Sequence, residues 1–259
     1  MTTLIAAQLR DRRRSLLAWG LPLGVWSAFI VAIYPSIEDA LRKAIGGYPE
    51  AFKKAFGISE LSTVEQYLQG EMLSLIVPVA LGYLAVRSVA SGLSGAAESG
   101  RLDVLLSAPV SRRSLVAAGF AATAVELAGV LVLALLLTEI GSLLSGAGLS
   151  FGLAAAGFAN VWPLALLFAG LGIIVTGWSL RTSIITGSVA GVLVGMYVVD
   201  LVGRLDTSLD AIRYVSVFRY YGKAVESGID PLSFLGVIAA AAALAAIGAL
   251  LIDMRDLAS

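Results

Sequence analysis

Glu126 is the ionisable side chain placed deepest in an apolar run, midway along Leu115–Leu137. A charge at that depth costs about 2.5–3.5 kcal/mol on insertion scales, so it must face protein or a water-filled cavity. Two chemistries stay open for it: a carboxylate on a substrate or proton path, or a neutral acid hydrogen-bonded to a neighbouring helix. A second set lies between Glu98 and Arg112. There the charges Glu98, Arg101, Asp103 and Arg112 alternate with Leu102, Leu105 and Leu106. These leucines share one face if residues 98–107 are helical, and Pro109 ends that helix. A third set is Gly187, Gly191 and Gly195, four residues apart. Glycines at that spacing form a smooth groove for close helix approach, within one chain or as a dimer seam.

Other chemistry is excluded by composition. The chain contains no His and no Cys. Without them there is no Ser-His or Cys-His nucleophile pair, no H-E-x-x-H zinc helix and no histidine-ligated haem. No G-x-x-x-x-G-K-(S/T) run occurs; Gly222-Lys223 is followed by Ala224. Phosphate cradling is therefore not expected in this chain. We expect no catalytic residue, no metal ligand and no cofactor of its own, and hence no enzyme.

The elements that carry these residues follow from hydropathy. Of 259 residues 58% are hydrophobic and 14% charged, with a mean hydropathy of +0.90. An average soluble domain carries about 25% charged residues, so lipid is the natural solvent for most of this chain. Six runs are long enough to span, each needing about 20 apolar residues: 16–34, 72–89, 115–137, 153–178, 183–202 and 234–252. Backbone groups in lipid must be satisfied internally, so these are helices. The expected fold is an all-α membrane protein, a single transmembrane domain over 1–259. The first run lacks a small-residue cleavage site near Tyr34-Pro35 and reads as a retained span.

Arg10, Arg12, Arg13 and Arg14 precede the first span and crowd its edge. By the positive-inside rule both termini are cytoplasmic. The same arginines belong either to a plain topology signal or to an interfacial helix over residues 4–16. Trp19 and Trp178 fall at the inner interface, and Tyr34, Trp162 and Tyr197 near the outer one. Outside, 35–70 and 203–230 carry apolar residues at helical spacing (Ile37, Leu41, Ala44, Ile45; Leu209, Ile212, Val215). They read as amphipathic helices on the outer surface.

The run Glu98-Ser99-Gly100-Arg101-Leu102-Asp103-Val104-Leu105-Leu106-Ser107-Ala108-Pro109-Val110-Ser111-Arg112 resembles the cytoplasmic-loop signature of ABC-2 type transporter permeases. That pattern is E-x-G-x-L-(E/D)-x-L-L-(S/A)-x-P-(V/I)-S-R, between the second and third spans. Asp253-Met254-Arg255-Asp256-Leu257 is similar to the family's terminal R-D-L. The layout looks like the half-size branch of the bacitracin-exporter and copper-assembly kind. Ala97 and Gly119 depart from relatives that carry an acid and a lysine there.

The resemblance implies a coupling helix that docks on a separate ABC ATPase, present in two copies. Glu98, Arg101, Asp103 and Arg112 would be its charged contacts, and Leu102, Leu105, Leu106 and Pro109 its apolar frame. It also implies ATP and Mg on that partner, and a second permease copy or paralogue. The expected setting is the cytoplasmic membrane, and the expected task is export of a hydrophobic or amphipathic substrate. No nucleic acid is expected. The alternatives are an ATP-independent channel or secondary transporter, or a non-transporting scaffold. Broken midplane helices and internal repeats, common in secondary transporters, are not evident in the sequence.

Overall fold

The computed structural model describes residues 2–46, 63–98, 100 and 111–254. Their ordered elements are helical. Helix α1 spans Thr2–Gly46, α2 Val64–Leu68, α3 Ile76–Ala90 and α4 Leu93–Glu98. Then come α5 Arg112–Ser145, α6 Phe151–Trp178, α7 Thr182–Leu205, α8 Val217–Tyr221, α9 Ala224–Ser227 and α10 Pro231–Asp253. One wide π-type turn, Gln69–Leu73, links α2 to α3, and a 3₁₀ segment, Thr207–Val215, follows α7. Six helical stretches among the described residues are long and apolar enough to cross a membrane. This is the expected all-α, six-span architecture.

Side-chain signals set the helix ends. Ser111 caps α5 through the Ser114 N–H, and Gly146, at φ 68°, ends it in the left-handed region. Asp230 caps α10 by accepting the N–H groups of Leu232 and Ser233, with Pro231 at the first helical position, where its missing N–H costs nothing.

Small residues bring the spans together and reveal their directions. A Cβ on Gly20 would meet Leu133, on Gly24 Leu137, on Gly129 Leu16 and on Gly141 Ala28. Numbers rise together, so α1 and α5 run parallel. Gly170 lies against Ala241 and Leu244, Gly248 against Ile173, and Gly177 against Leu251. Therefore α6 and α10 are parallel as well. Gly82 meets Phe168 and Gly172 meets Val89, which adds α3 to that second set. Consecutive spans alternate in direction, and the first span begins on the face where the last one ends.

Two outer expectations need correction. Residues 35–46 do not form a separate surface helix; they continue α1, which carries Pro22 and Pro35 inside it. Pro35 removes one backbone donor, but the apolar stripe keeps its phase across it. Ile30, Val31 and Tyr34 are buried, and Ile37 and Leu41 pack on the same core. The expected continuation at 49–56 lies outside the described residues. The second span begins earlier than Met72. Its wide turn is held by Gln69, which is buried, through Ser74: the Ser74 N–H and hydroxyl both donate to the Gln69 carbonyl, at 2.8 and 2.7 Å. The Leu73 carbonyl accepts the Tyr221 hydroxyl at 2.9 Å. Irregular backbone at this depth survives because neighbouring groups re-satisfy it.

Candidate functional site

The first site residue, Glu126, is buried at 1% exposure and faces protein. Arg12 of α1 donates to its Oε2 at 2.9 Å and to the Thr123 hydroxyl at 2.6 Å, both through Nη1. Through Nη2 it donates to the Ser88 carbonyl at 3.1 Å. Ser88 of α3 completes the knot, its hydroxyl donating to the same Glu126 oxygen at 2.8 Å. Oε1 of Glu126 has no hydrogen-bond partner among the described residues. The carboxylate is thus level with Ser88, two residues from the end of α3, and close to the middle of α5. Helix α5 is 34 residues long, about 51 Å at 1.5 Å per residue. That exceeds the hydrocarbon core of about 30 Å.

The segment that resembles a coupling loop is described at its two ends. Arg101, Leu102, Asp103, Leu105, Leu106 and Pro109 lie outside the described residues. At the near end, Glu98 closes the short helix α4 and accepts the backbone N–H of Thr182 at 2.8 Å. At the far end, Arg112 is the first residue of α5 and half-buried. Its neighbour Arg113 pairs with Asp253 at the end of α10, at 2.7 Å. Every chain crossing therefore has an end on this face, and four of them are tied there by polar side chains.

The glycine face of α7 is open. No described atom lies within 4 Å of a Cβ built on Gly187, Gly191 or Gly195, and all three residues are exposed. Packing within this chain, one of the two uses expected for the groove, does not occur among the described residues. The other face of α7 is occupied: Gly82 of α3 lies against Leu193, and Ile185, Val189 and Leu193 are buried.

At the opposite face an ion network caps α7. Asp200, 2% exposed, pairs with Arg204 and with Arg213 at 2.9 Å. Arg213 and Arg219 both hold Asp210, at 2.8 and 3.0 Å, and Arg219 stacks 4.0 Å over Tyr214. Those two arginines, Arg219 first, keep the Asp210 carboxyl below the usual carboxylate range. Hydrogen bonds from Ser208 and Ser233 do the same for Asp206 and Asp230. Gly203 is small because the Arg213 stem lies against it.

No group of three His, Cys, Asp or Glu residues among the described residues could hold a metal ion.

The sequence pattern of a known family, described as "Multidrug efflux system permease Rv1217c, C-terminal domain", matches residues 1–251. The chain belongs to this permease family. Comparison with curated proteins finds no match.

In this permease two recesses adjoin the polar knot and the core. One, of about 70 Å³, is lined by Arg12, Ser88, Val116, Phe120, Thr176 and Ile252 at the knot's face of the bundle. The other, of about 350 Å³, is an open groove between α5, α6 and the start of α10. Ala128, Leu131, Leu135, Phe158, Trp162 and Phe234 line it. The Trp162 indole is held there by its N–H bond to the Ala124 carbonyl at 2.8 Å.

Sequence reasoning missed Arg12, Ser88 and Thr123 as partners of Glu126. One signal was present: a buried acid needs a cation or donors, and an arginine at the edge of another span can supply them. Three more arginines in the same cluster hid which one would do so.

Proposed function

We propose that this permease is the membrane subunit of an ATP-driven exporter of the ABC-2 type, half-size, working in the cytoplasmic membrane. A separate ABC ATPase, in two copies, binds ATP and Mg and performs the hydrolysis. Two permease copies, or one and a paralogue, enclose the pathway. The transported molecule is hydrophobic or amphipathic, in keeping with the multidrug efflux description of the family.

The observation that carries this reading is the segment from Glu98 to Arg112, set between the second and third spans. Its two described ends, Glu98 and Arg112, lie on the face that also holds the start of the first span and the end of the last. Glu98 joins α7 and Arg113 joins α10. A partner that moves this segment therefore pulls on several spans at once. Glu98, Arg101, Asp103 and Arg112 are the charged contacts with the ATPase, and Leu102, Leu105 and Leu106 fill an apolar groove on it. Pro109 ends the helix before α5 begins. ATP biases two discrete packings of the spans, as alternating access requires.

The open glycine face of α7 supports the second copy. Small residues let helix backbones approach closely in lipid, where packing and not hydrophobicity drives association.

The deciding experiment is co-purification in detergent and in lipid nanodiscs with ATP. Wild-type permease is expected to retain an ATP-hydrolysing subunit. The folded double variant Glu98→Arg, Leu102→Asp is expected to lose it. An ATPase absent from the wild type under all conditions refutes the reading and leaves an ATP-independent transporter or a scaffold.

A further inference from the structure

The Arg12 knot joins three spans at one level, and its position relative to the cytoplasmic segment is telling. Ser88 is on α3 and Glu126 on α5, the two helices that the segment connects. Any displacement of the segment passes to those two spans through the chain itself. The first span has no such covalent route. Among the described residues its polar tie at this level is Arg12, whose Nη1 and Nη2 reach α5 and α3 at once.

Further along, the contact between α1 and α5 is apolar. It is made of Gly20 against Leu133, Gly24 against Ala134 and Leu137, and Gly141 against Ala28. Dispersion contacts between such surfaces are weak singly. A charge-assisted bond is short and directional. A buried one cannot be abandoned without leaving an uncompensated charge. Arg12 therefore sets where α1 stands against α5, and Gly129 beside Leu16 is the nearest apolar contact to feel it.

The knot also has spare capacity. Glu126 Oε1 is buried and without a partner among the described residues. A guanidinium can shift from one carboxylate oxygen to the other without leaving the protein for lipid.

We propose that Arg12 is a positioning residue that makes the first span move as one body with the cytoplasmic segment between the second and third spans. This rests on the exporter reading above and adds to it the route by which span one is driven.

The test reconstitutes the full permease with its ATPase in liposomes and follows ATP hydrolysis and ethidium transport side by side. The variants are Arg12→Gln, Glu126→Gln and Arg12→Lys. Expected for the two Gln variants is normal ATPase retention with ethidium moved per ATP down by about tenfold, within the usual range of coupling between sites. Arg12→Lys, which keeps the charge, restores part of it. Unchanged transport per ATP in folded Arg12→Gln overturns the proposal. So does a loss that merely follows the amount of folded, ATPase-bound protein, because that is a stability effect.

If the wild type retains no ATPase, the exporter reading fails by itself. Arg12 is then judged by cross-linking. The chain has no Cys, so the pair Leu16→Cys, Gly129→Cys reports the register of α1 on α5 alone. A cross-link that forms in the wild-type background and drops sharply with Arg12→Gln supports the positioning role. A cross-link that persists unchanged overturns it.

Discussion

The Glu98 carboxylate accepts the backbone N–H of Thr182 at 2.8 Å, although 84 residues separate them. Thr182 opens α7, and the first N–H groups of a helix have no partner within it. Glu98 supplies one, and its charge also opposes the positive end of the helix dipole, an effect of about 0.3–1 kcal/mol. The same residue begins the segment proposed to meet the ATPase. Its contact with α7 is therefore a direct link from that segment to the span with the open glycine face.

Removal of the carboxylate tests that link. In Glu98→Ala the amides of residues 182–185 are expected to exchange with solvent several times faster, in line with a local loss of about 0.5–2 kcal/mol for a missing cap. Exchange in the middle of α7 stays as it was. Hydrogen exchange followed by mass spectrometry reads both. Equal protection of the first turn in variant and wild type would show that the bond contributes nothing in the membrane.

The glycine face predicts a separation of folding from association. A Cβ on Gly191 meets no described atom within 4 Å, and leucine is the better helix former, so Gly191→Leu should not lower the thermal stability of the single chain. If two copies meet through this face, the leucine keeps the backbones apart. Single-particle mass measurement in nanodiscs should then show dimers lost in Gly191→Leu and retained in Ile247→Ala, a change on the exposed side of α10. Dimers equally stable in both variants would put the seam elsewhere.

How far the sequence foretold this picture depends on the length scale of each signal. The six spans were legible because each needs only an apolar run of sufficient length, and α6, Phe151–Trp178, starts and stops where the run does. The end of the first span was not, because Pro35 reads as a stop while the stripe Ile30, Tyr34, Ile37 and Leu41 carries the helix on. Glu126 was legible as a buried acid, but its partner Arg12 is 114 residues away and local pattern has no means of pairing them. The glycines Gly187, Gly191 and Gly195 announced a groove without saying whether the same chain would fill it. Asp200 lies near the end of its apolar run, where a charge can reach water, yet the 3₁₀ segment folds Arg213 back over it.

That fold-back makes Asp200 and Asp210 unequal. Asp200 is buried between Arg204 and Arg213, and Asp200→Ala takes that carboxylate from Arg204 and leaves Arg213 with Asp210 alone. Breaking a buried pair in this way costs about 3–5 kcal/mol. Asp210 is half-exposed at 44%, and water replaces what its loss removes. Thermal unfolding in detergent should therefore show a large drop for Asp200→Ala and little for Asp210→Ala. Similar drops for the two would mean that the network acts as a unit and not through the buried acid.

Acid should loosen the same region within a defined window. The folded Asp210 carboxyl titrates below its usual range, so its stabilising effect is present above the unfolded value of about 3.9. It is lost as pH falls through the lower folded value. Asp206 and Asp230 shift in the same direction and add to the same window. A spin label at Leu209, which is exposed, should show constant mobility from about pH 8 to 5 and rising mobility below about pH 4. In Asp210→Asn the low-pH rise should shrink. Loosening that begins near neutral pH would contradict the assignment, since none of these groups titrates there.

The groove between α5, α6 and α10 offers the last prediction. Its volume is about 350 Å³, space for about a dozen waters at ~30 Å³ each. Its lining gives them almost no polar partner, and a recess of that kind excludes water and takes apolar matter. Ala155, Ala159, Phe158 and Phe234 are among the residues that line it. Trp162 is a fixed reporter there, because its indole N–H is already bonded to Ala124. With Trp19, Trp26 and Trp178 changed to Phe, emission comes from Trp162 alone. Brominated acyl chains should quench it well, and a water-soluble quencher such as iodide should not. Ala159→Phe should fill the groove and weaken quenching by the bromolipid without shifting the emission towards that of a wet indole. Strong iodide quenching would show that the groove is wet, and then it could not serve as an apolar binding surface in the membrane.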